Sequence, residues 1–414
     1  MGQQPVAIDP AGTDVHAEAA GLRELGAATL VQLPDGPEAW AITRHGLLKE
    51  LLTDPRVSKD ARQHWPPWQR GEYQDTWLAT WVGVNNMFTA YGSDHRRLRK
   101  LIAPAFTARR TDAMLPSVER ITADLLDRMA DRLAASAEAP ADAVIDLREA
   151  FSHPLPMQVI CELFGVPEGD TRTELARMSE IIMTSVDPEE AGAAYVGVQE
   201  LLQGLAGLKR REPAEDLTSV LVGARDEDGR KMSEQELIDT LLLVLVAGHE
   251  TTVNLIGNAV HALLTHPEQL ALVRAGEVAW SDVVEETLRW APSVANLPLR
   301  YAVEDIEIPD GPTIRKGEAI LASFAATGRD PQQHGDTAGE FDVRRPSPEH
   351  LSFGHGVHRC IGSPLARMEA MIALPALFAR FPALRLAVPE ESLEPAGGFI
   401  VGGLRALPVR LTED

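Results

Sequence analysis

A chain of 414 residues, 44% of them apolar, can bury a substantial core, in two or three average domains or in one large one. Its formal charge of −22 argues against nucleic acid and against an anionic membrane as partners. The two cysteines, Cys161 and Cys360, are too few for a disulfide framework. No apolar run follows Met1, which predicts a soluble, cytoplasmic chain without signal peptide or anchor. Residues 1–14 are polar and read as a flexible tail. No repeat, low-complexity tract or linker divides the remainder, so residues 1–414 read as one large domain, mainly α with small β-sheets.

Residues 29–33 and 39–43 are β-like runs around Pro34-Asp35-Gly36, a turn signal. Residues 45–52 read as a short helix ended before Pro55. From 58 to 87 the periodicity is weak and four tryptophans occur: Trp65, Trp68, Trp77 and Trp81. Two readings stay open here, a surface loop pinned by aromatics or a lid, since long loops in compact domains are often functional. Residues 94–102 are strongly basic inside an acidic chain. Taken alone, such a run is a solvated face. His95 and Arg99, four apart, nevertheless share one face of a helix.

Residues 115–208 are helical in pattern, with breaks at Pro140, Pro154, Pro167 and Pro188 and with Cys161 buried in a helix. Residues 181–194 are a candidate substrate entrance. Ser233 and Glu236 form a capping box before an apolar helix that runs to about His266. At 1.5 Å per residue that helix is roughly 48 Å long, enough to cross a domain. His249 and Glu250 interrupt it too much for a membrane span. Its middle reads Ala247-Gly248-His249-Glu250-Thr251-Thr252, with Val244, Ala247, Gly248 and Thr251 on one face and His249 turned away. Ala247-Gly248 is either close helix packing or room for a bulky flat ligand. A carboxylate in an apolar helix is harder to explain blandly, because burying it costs several kcal/mol unless it is partnered.

Residues 281–290 form another helix, in which Glu286 and Arg289 can pair. Residues 295–302 and 319–323 are strands. Then comes Phe353-Gly354-His355-Gly356-Val357-His358-Arg359-Cys360-Ile361-Gly362, followed by Pro364 and an apolar helical pattern. Cys360 stands at that helix N-terminus, where unpaired amides, the helix dipole, Arg359 and Arg367 favour a thiolate. A thiolate so held suits an axial metal ligand; the bland alternative is a small buried hydrophobe. Pro375 should kink the helix. Residues 397–403 look like a hairpin tip.

Phe-Gly-x-Gly-x-His-x-Cys-x-Gly resembles the cysteine loop of the cytochrome P450 family, the haem-thiolate monooxygenases. The Ala-Gly-x-Glu-Thr segment, the Glu-x-x-Arg helix and the His-x-x-x-Arg run before Ala105-Phe106-Thr107 extend the resemblance over nearly the whole chain. It implies the P450 fold, with the long central helix over haem b (iron protoporphyrin IX) and with Cys360 as the axial iron ligand. Phe353 and Gly362 would flank the haem on the cysteine side, and Ala247 and Gly248 would leave room for it. His95, Arg99, Arg300 and His358 would hold the propionates. Thr251 would hydrogen-bond bound dioxygen, the co-substrate, and Glu250 would relay protons to it. Arg345, or else Arg344, would complete the structural Glu286–Arg289 pair. Arg96, Arg97 and Lys100 could attract an acidic electron-transfer protein. The pocket would be bordered by Trp81, Val244, Ala247, Val294, Ala295, Asn296, Leu297, Phe399 and Ile400.

No flavin or dinucleotide motif is present, so electrons would come from NAD(P)H through a separate ferredoxin reductase and ferredoxin. The resemblance is to soluble actinomycete members that oxidise steroids or macrolides. It implies a monomer that hydroxylates a hydrophobic small molecule, with a steroid the first substrate and a macrolide or other polyketide the second. A hydrogen-peroxide-driven peroxygenase and a non-catalytic haem sensor are the rival readings.

Overall fold

The computed structural model describes residues 4–135, 143–184 and 188–412. Helices dominate, and a six-stranded sheet lies beside them in the order Val6–Ala7, Ala28–Gln32, Glu38–Ile42, Ala319–Ser323, Asn296–Ala302, Val57–Ser58. The Ala28–Gln32 and Glu38–Ile42 strands form an antiparallel hairpin. Its turn holds Asp35 and Gly36 at φ +64° and +101°, the left-handed region that the Pro-Asp-Gly signal anticipates. The expected flexible tail over residues 1–14 is corrected from residue 4 onward. Val6–Ala7 pairs in parallel with Val31–Gln32, and Ile8 is buried, so alternating apolar residues in a polar run suffice for an edge strand.

Short helices, Ala61–His64, Pro66–Gln69 and Leu78–Val82, occupy the tryptophan-rich stretch. Trp65 stacks on Tyr301 of the sheet at 5.4 Å and on Tyr73 at 5.5 Å, so aromatics do pin this segment. Pro154 and Pro188 open helices Pro154–Phe164 and Pro188–Arg211, where a missing N–H costs nothing. Cys161 is buried in the first of these, and burial pushes its thiol up to about 11. Pro140 lies outside the described residues, and so does part of the expected substrate entrance, residues 185–187.

The central helix is Glu234–Thr265, and both bonds of its capping box are made: Glu236 N–H to Ser233 Oγ at 3.1 Å and Ser233 N–H to Glu236 Oε2 at 2.8 Å. By length and composition it could cross a membrane. It is instead the core helix, packed against Pro154–Phe164, Trp280–Trp290 and Ser363–Arg380. Ser363–Arg380 continues through Pro375.

Between Trp280–Trp290 and the segment that leads to Cys360 lies a buried ion cluster. Glu286 accepts from Arg289 at 2.6 and 2.7 Å, from Arg345 Nε at 3.3 Å and from the Asp342 amide at 2.8 Å. Arg289, with no exposure, donates its remaining N–H groups to the carbonyls of Gly328, Ala338 and Glu340, each at 2.7 Å. Arg345 also reaches the Thr337 carbonyl at 2.8 Å, whereas Arg344 pairs with exposed Glu277. Arg345, not Arg344, therefore completes the cluster. Every charge is partnered, so removing one strands the others in a low dielectric. Arg289→Met should cost about 3–5 kcal/mol in urea unfolding, and Arg344→Ala less than about 0.5 kcal/mol.

Candidate active site

The cysteine loop is a tight hairpin in which the Cys360 amide donates to the Phe353 carbonyl at 2.8 Å. Gly354 and Gly356 take φ +66° and +69°, and a Cβ at 356 would lie 2.6 Å from the Leu52 carbonyl oxygen. Only glycine tolerates both the dihedral and the approach. Gly362 ends the loop as N-cap of Ser363–Arg380, 3.9 Å from Cys360 Sγ at its would-be Cβ. Burial pushes the Cys360 thiol up, while the Gly362 and Ser363 amides and the charges of Arg99 and Arg359 pull it down. The side chain nevertheless has exposed surface, so Sγ opens on an internal space rather than into packed core.

Beside it, four groups converge from three distant segments. His95 lies on helix Gly92–Ile102 with Arg99, Arg300 on strand Asn296–Ala302, and His358 in the cysteine loop. The His95 and His358 rings are 4.0 Å apart. Burial and the arginines at 99 and 96 push His95 down to about 4. Burial, then the charges of Lys59, His95, Arg300 and Arg99, hold His358 far below the usual imidazole range. Burial alone lowers Arg300 to about 10. Among the described residues His95 Nε2 and Arg300 Nη1 are buried with no hydrogen-bond partner. Such groups call for an anion. A thiol flanked by unpartnered buried donors, an imidazole and a guanidinium, fits a haem, whose iron would take the sulfur and whose two carboxylates would take the donors.

Arg97 and Lys100 are engaged with Glu236 and Glu227, the second pair on the surface, and Arg96 is exposed. The Arg97–Glu236 pair ties the basic helix to the first turn of the central helix.

In the central helix Thr251 Oγ1 donates to the Ala247 carbonyl at 2.7 Å and Thr252 Oγ1 to the Gly248 carbonyl at 3.0 Å. Two successive back-bonds of this kind bend a helix. Ala247 is exposed. A Cβ on Gly248 would meet Ile160 at 3.4 Å, an ordinary contact with helix Pro154–Phe164. Buried His249 bonds the His153 carbonyl at 3.0 Å and faces away from the site. Glu250 accepts from Arg148 Nη2 at 2.7 Å and from Asn254 Nδ2 at 3.2 Å, and Arg148 Nη1 donates to Asn254 Oδ1 at 3.0 Å. The carboxylate is thus held in a closed triangle.

The expected pocket border divides. Ala295 and Asn296 are buried, and the Asn296 side chain donates to the Phe399 carbonyl at 2.8 Å. Phe399 packs edge-on against Trp77 at 5.2 Å, in a core cluster that also takes Ile400. These four are enclosed by protein, because the 397–403 hairpin folds onto the sheet rather than projecting from it. Trp81, Val244, Val294 and Leu297 keep partial exposure.

Three groups were not anticipated. Lys59 and Arg148 lie in segments that read locally as solvated charge; Asn254, four residues after Glu250, could have been found from helical spacing. On the cysteine side, Arg367 stacks on the Phe353 ring at 4.6 Å and binds Glu285 at 2.5 and 2.8 Å, and His350 reaches Glu285 at 3.1 Å. Burial raises the Glu285 carboxyl, but these partners outweigh it and leave it at about 2. A depressed carboxyl stabilises the fold above its unfolded value and loses that contribution as pH falls toward the folded one. Stability should therefore drop between pH about 4.5 and about 2, and Glu285→Gln should flatten that segment of an acid-unfolding curve.

The cytochrome P450 family pattern matches residues 199–275 and 280–401. The 2-hydroxy-5-methyl-1-naphthoate 7-hydroxylase of Streptomyces carzinostaticus is 45% identical over 408 residues, 98% of this chain and 97% of that one. The 6-deoxyerythronolide B hydroxylase of Saccharopolyspora erythraea is 40% identical over 402 residues, 94% of each. Testosterone-bound CYP154C4 from Streptomyces sp. ATCC 11861 superposes with a TM-score of 0.90 at 42% identity, covering 99% of this chain and 98% of that one. Family membership implies haem and the use of dioxygen. The chain belongs to the cytochrome P450 family and is a P450 monooxygenase.

Proposed function

We propose that the chain hydroxylates a hydrophobic small molecule, with Cys360 as thiolate ligand and His95, Arg99, Arg300 and His358 on the propionates. The observation that carries the assignment is the set of unpartnered buried donors, His95 Nε2 and Arg300 Nη1, beside a cysteine at a helix N-terminus. Haem, when bound, supplies the activation of dioxygen and the oxidation of an unreactive C–H bond. Thr251 holds a hydroxyl proton that it now gives to the Ala247 carbonyl, and a turn about χ1 would present it to the pocket. Glu250 replenishes that proton, and to do so it must loosen its bond to Arg148 or Asn254. Electrons come from a ferredoxin and its reductase. The chain itself works as a cytoplasmic monomer.

A steroid is the first substrate: the partly exposed lining, Trp81, Val244, Val294 and Leu297, is apolar, and a relative 42% identical is testosterone-bound. A macrolide or other polyketide is supported as well, through the relative that hydroxylates 6-deoxyerythronolide B. Titration of the ferric protein with testosterone and with a macrolactone, followed by the low-to-high spin shift, separates the two. A shift with only one of them selects that class.

The reduced, carbon-monoxide-bound spectrum should show a strongly red-shifted Soret band that Cys360→Ala abolishes. A haem band indifferent to Cys360 would sink the thiolate assignment. Thr251→Ala should keep consuming NAD(P)H while product formation falls on the order of 10²-fold. Full product formation in that variant would favour a peroxide-driven reaction, and an unchanged response to ligand without any turnover would favour a sensor.

A further inference from the structure

We propose that Lys59 is a fifth basic anchor for the haem propionates in this chain, reaching them from the end of strand Val57–Ser58. The proposal rests on the haem-binding reading of the same site. Ser58 pairs with Tyr301 in an antiparallel ladder, and continuing that register sets Lys59 across from Arg300. Lys59 is only 4% exposed, and its Nζ has no hydrogen-bond partner among the described residues. Its neighbour Asp60 cannot compensate it, because that carboxylate caps helix Ala61–His64 through the Arg62 and Gln63 amides and holds the Gln63 side chain at 2.8 Å.

What surrounds the ammonium is the Phe88 ring, 3.6 Å from Nζ to the centroid, and a set of other cations. Burial and then the charge of Arg300 oppose a charged Lys59, and Lys59 is the foremost charge felt by His358. A ring face offsets part of the cost of burying an ammonium, but it leaves three strong donors unused. Arg300 and His358, both in the field of Lys59, are two of the groups placed on the propionates. A dianion there would neutralise the Lys59 and Arg300 charges and accept the bonds that their unpartnered donors lack. A flexible four-carbon stem suits a point charge aimed at one carboxylate oxygen.

The test uses full-length holoprotein: wild type, Lys59→Met, Lys59→Gln, and Phe88→Leu as a control that keeps the lysine. Two quantities are read, haem transfer to excess apomyoglobin and the propionate bending mode in the resonance Raman spectrum. Both lysine variants should release haem roughly 10- to 100-fold faster and shift the bending mode, with the thiolate-type carbon monoxide band intact. Phe88→Leu should leave the mode in place. If one lysine variant does not fold, the other decides. An unshifted mode in a folded lysine variant overturns the assignment, whatever the release rate, since faster release alone could follow from looser packing. A wild-type protein without a thiolate-haem band would overturn the haem reading itself, which the variants alone cannot do.

Discussion

A sulfur inside a protein can carry negative charge only where the protein replaces the water it has lost. At Cys360 that replacement consists of two backbone amides and two guanidinium groups, set against a burial penalty that still prevails over them. The loop also has to hold that sulfur still. Rigidity here is built from outside the loop. Gly356 is wedged against the Leu52 carbonyl, Phe353 is clasped by Arg367, and Glu285 ties Arg367 to helix Trp280–Trp290. On an adjoining face of that helix, Glu286 and Arg289 knit the preceding segment to the same support. A single helix therefore anchors both the chain leading into the loop and the helix leading out of it.

The opposite wall obeys a different rule. Thr251 and Thr252 each bond a carbonyl four residues back, and neighbouring Ala247 and Gly248 face different ways, one toward the site and one toward Ile160. The carboxylate between them is charged, partly buried and satisfied by Arg148 and Asn254. Bonds of 2.7 and 3.2 Å give Glu250 one firm and one looser partner.

What could be read in advance follows the range of the forces concerned. The capping box at Ser233, the Pro-Asp-Gly turn and the 319–323 strand depend on residues a few positions apart, and each lies where its pattern placed it. Cys360, His95, Arg99, Arg300 and His358 could be named from motifs, though nothing in the spacing of segments two hundred residues apart says that they meet. Lys59 and Arg148 had no local signature, since a lysine beside an aspartate looks like any solvated pair until tertiary contacts bury it. The faces of Ala247 and Gly248 were blurred because consecutive helical residues differ by about 100° in direction. Val6–Ala7 was missed because two apolar residues in a polar run are too few to register as a strand, yet enough to extend an existing sheet edge.

The hairpin at 399–403 sets limits on how such a protein can be diversified. Its early residues meet the aromatic segment, Phe399 through Trp77, while Gly402 and Gly403 press on the backbone of Pro292 and on Asn254. A Cβ at 403 would fall 2.3 Å from Asn254 Oδ1, the atom that receives Arg148 and so steadies Glu250. Variation at the front of the hairpin thus falls on the aromatic core cluster. A side chain at Gly403 would push on Asn254 and through it on Glu250, whereas one at Gly402 would strike the Pro292 carbonyl, 2.1 Å from its Cβ. Five consecutive residues thus answer to different neighbours, an aromatic core at one end and a carboxylate's hydrogen-bond partner at the other.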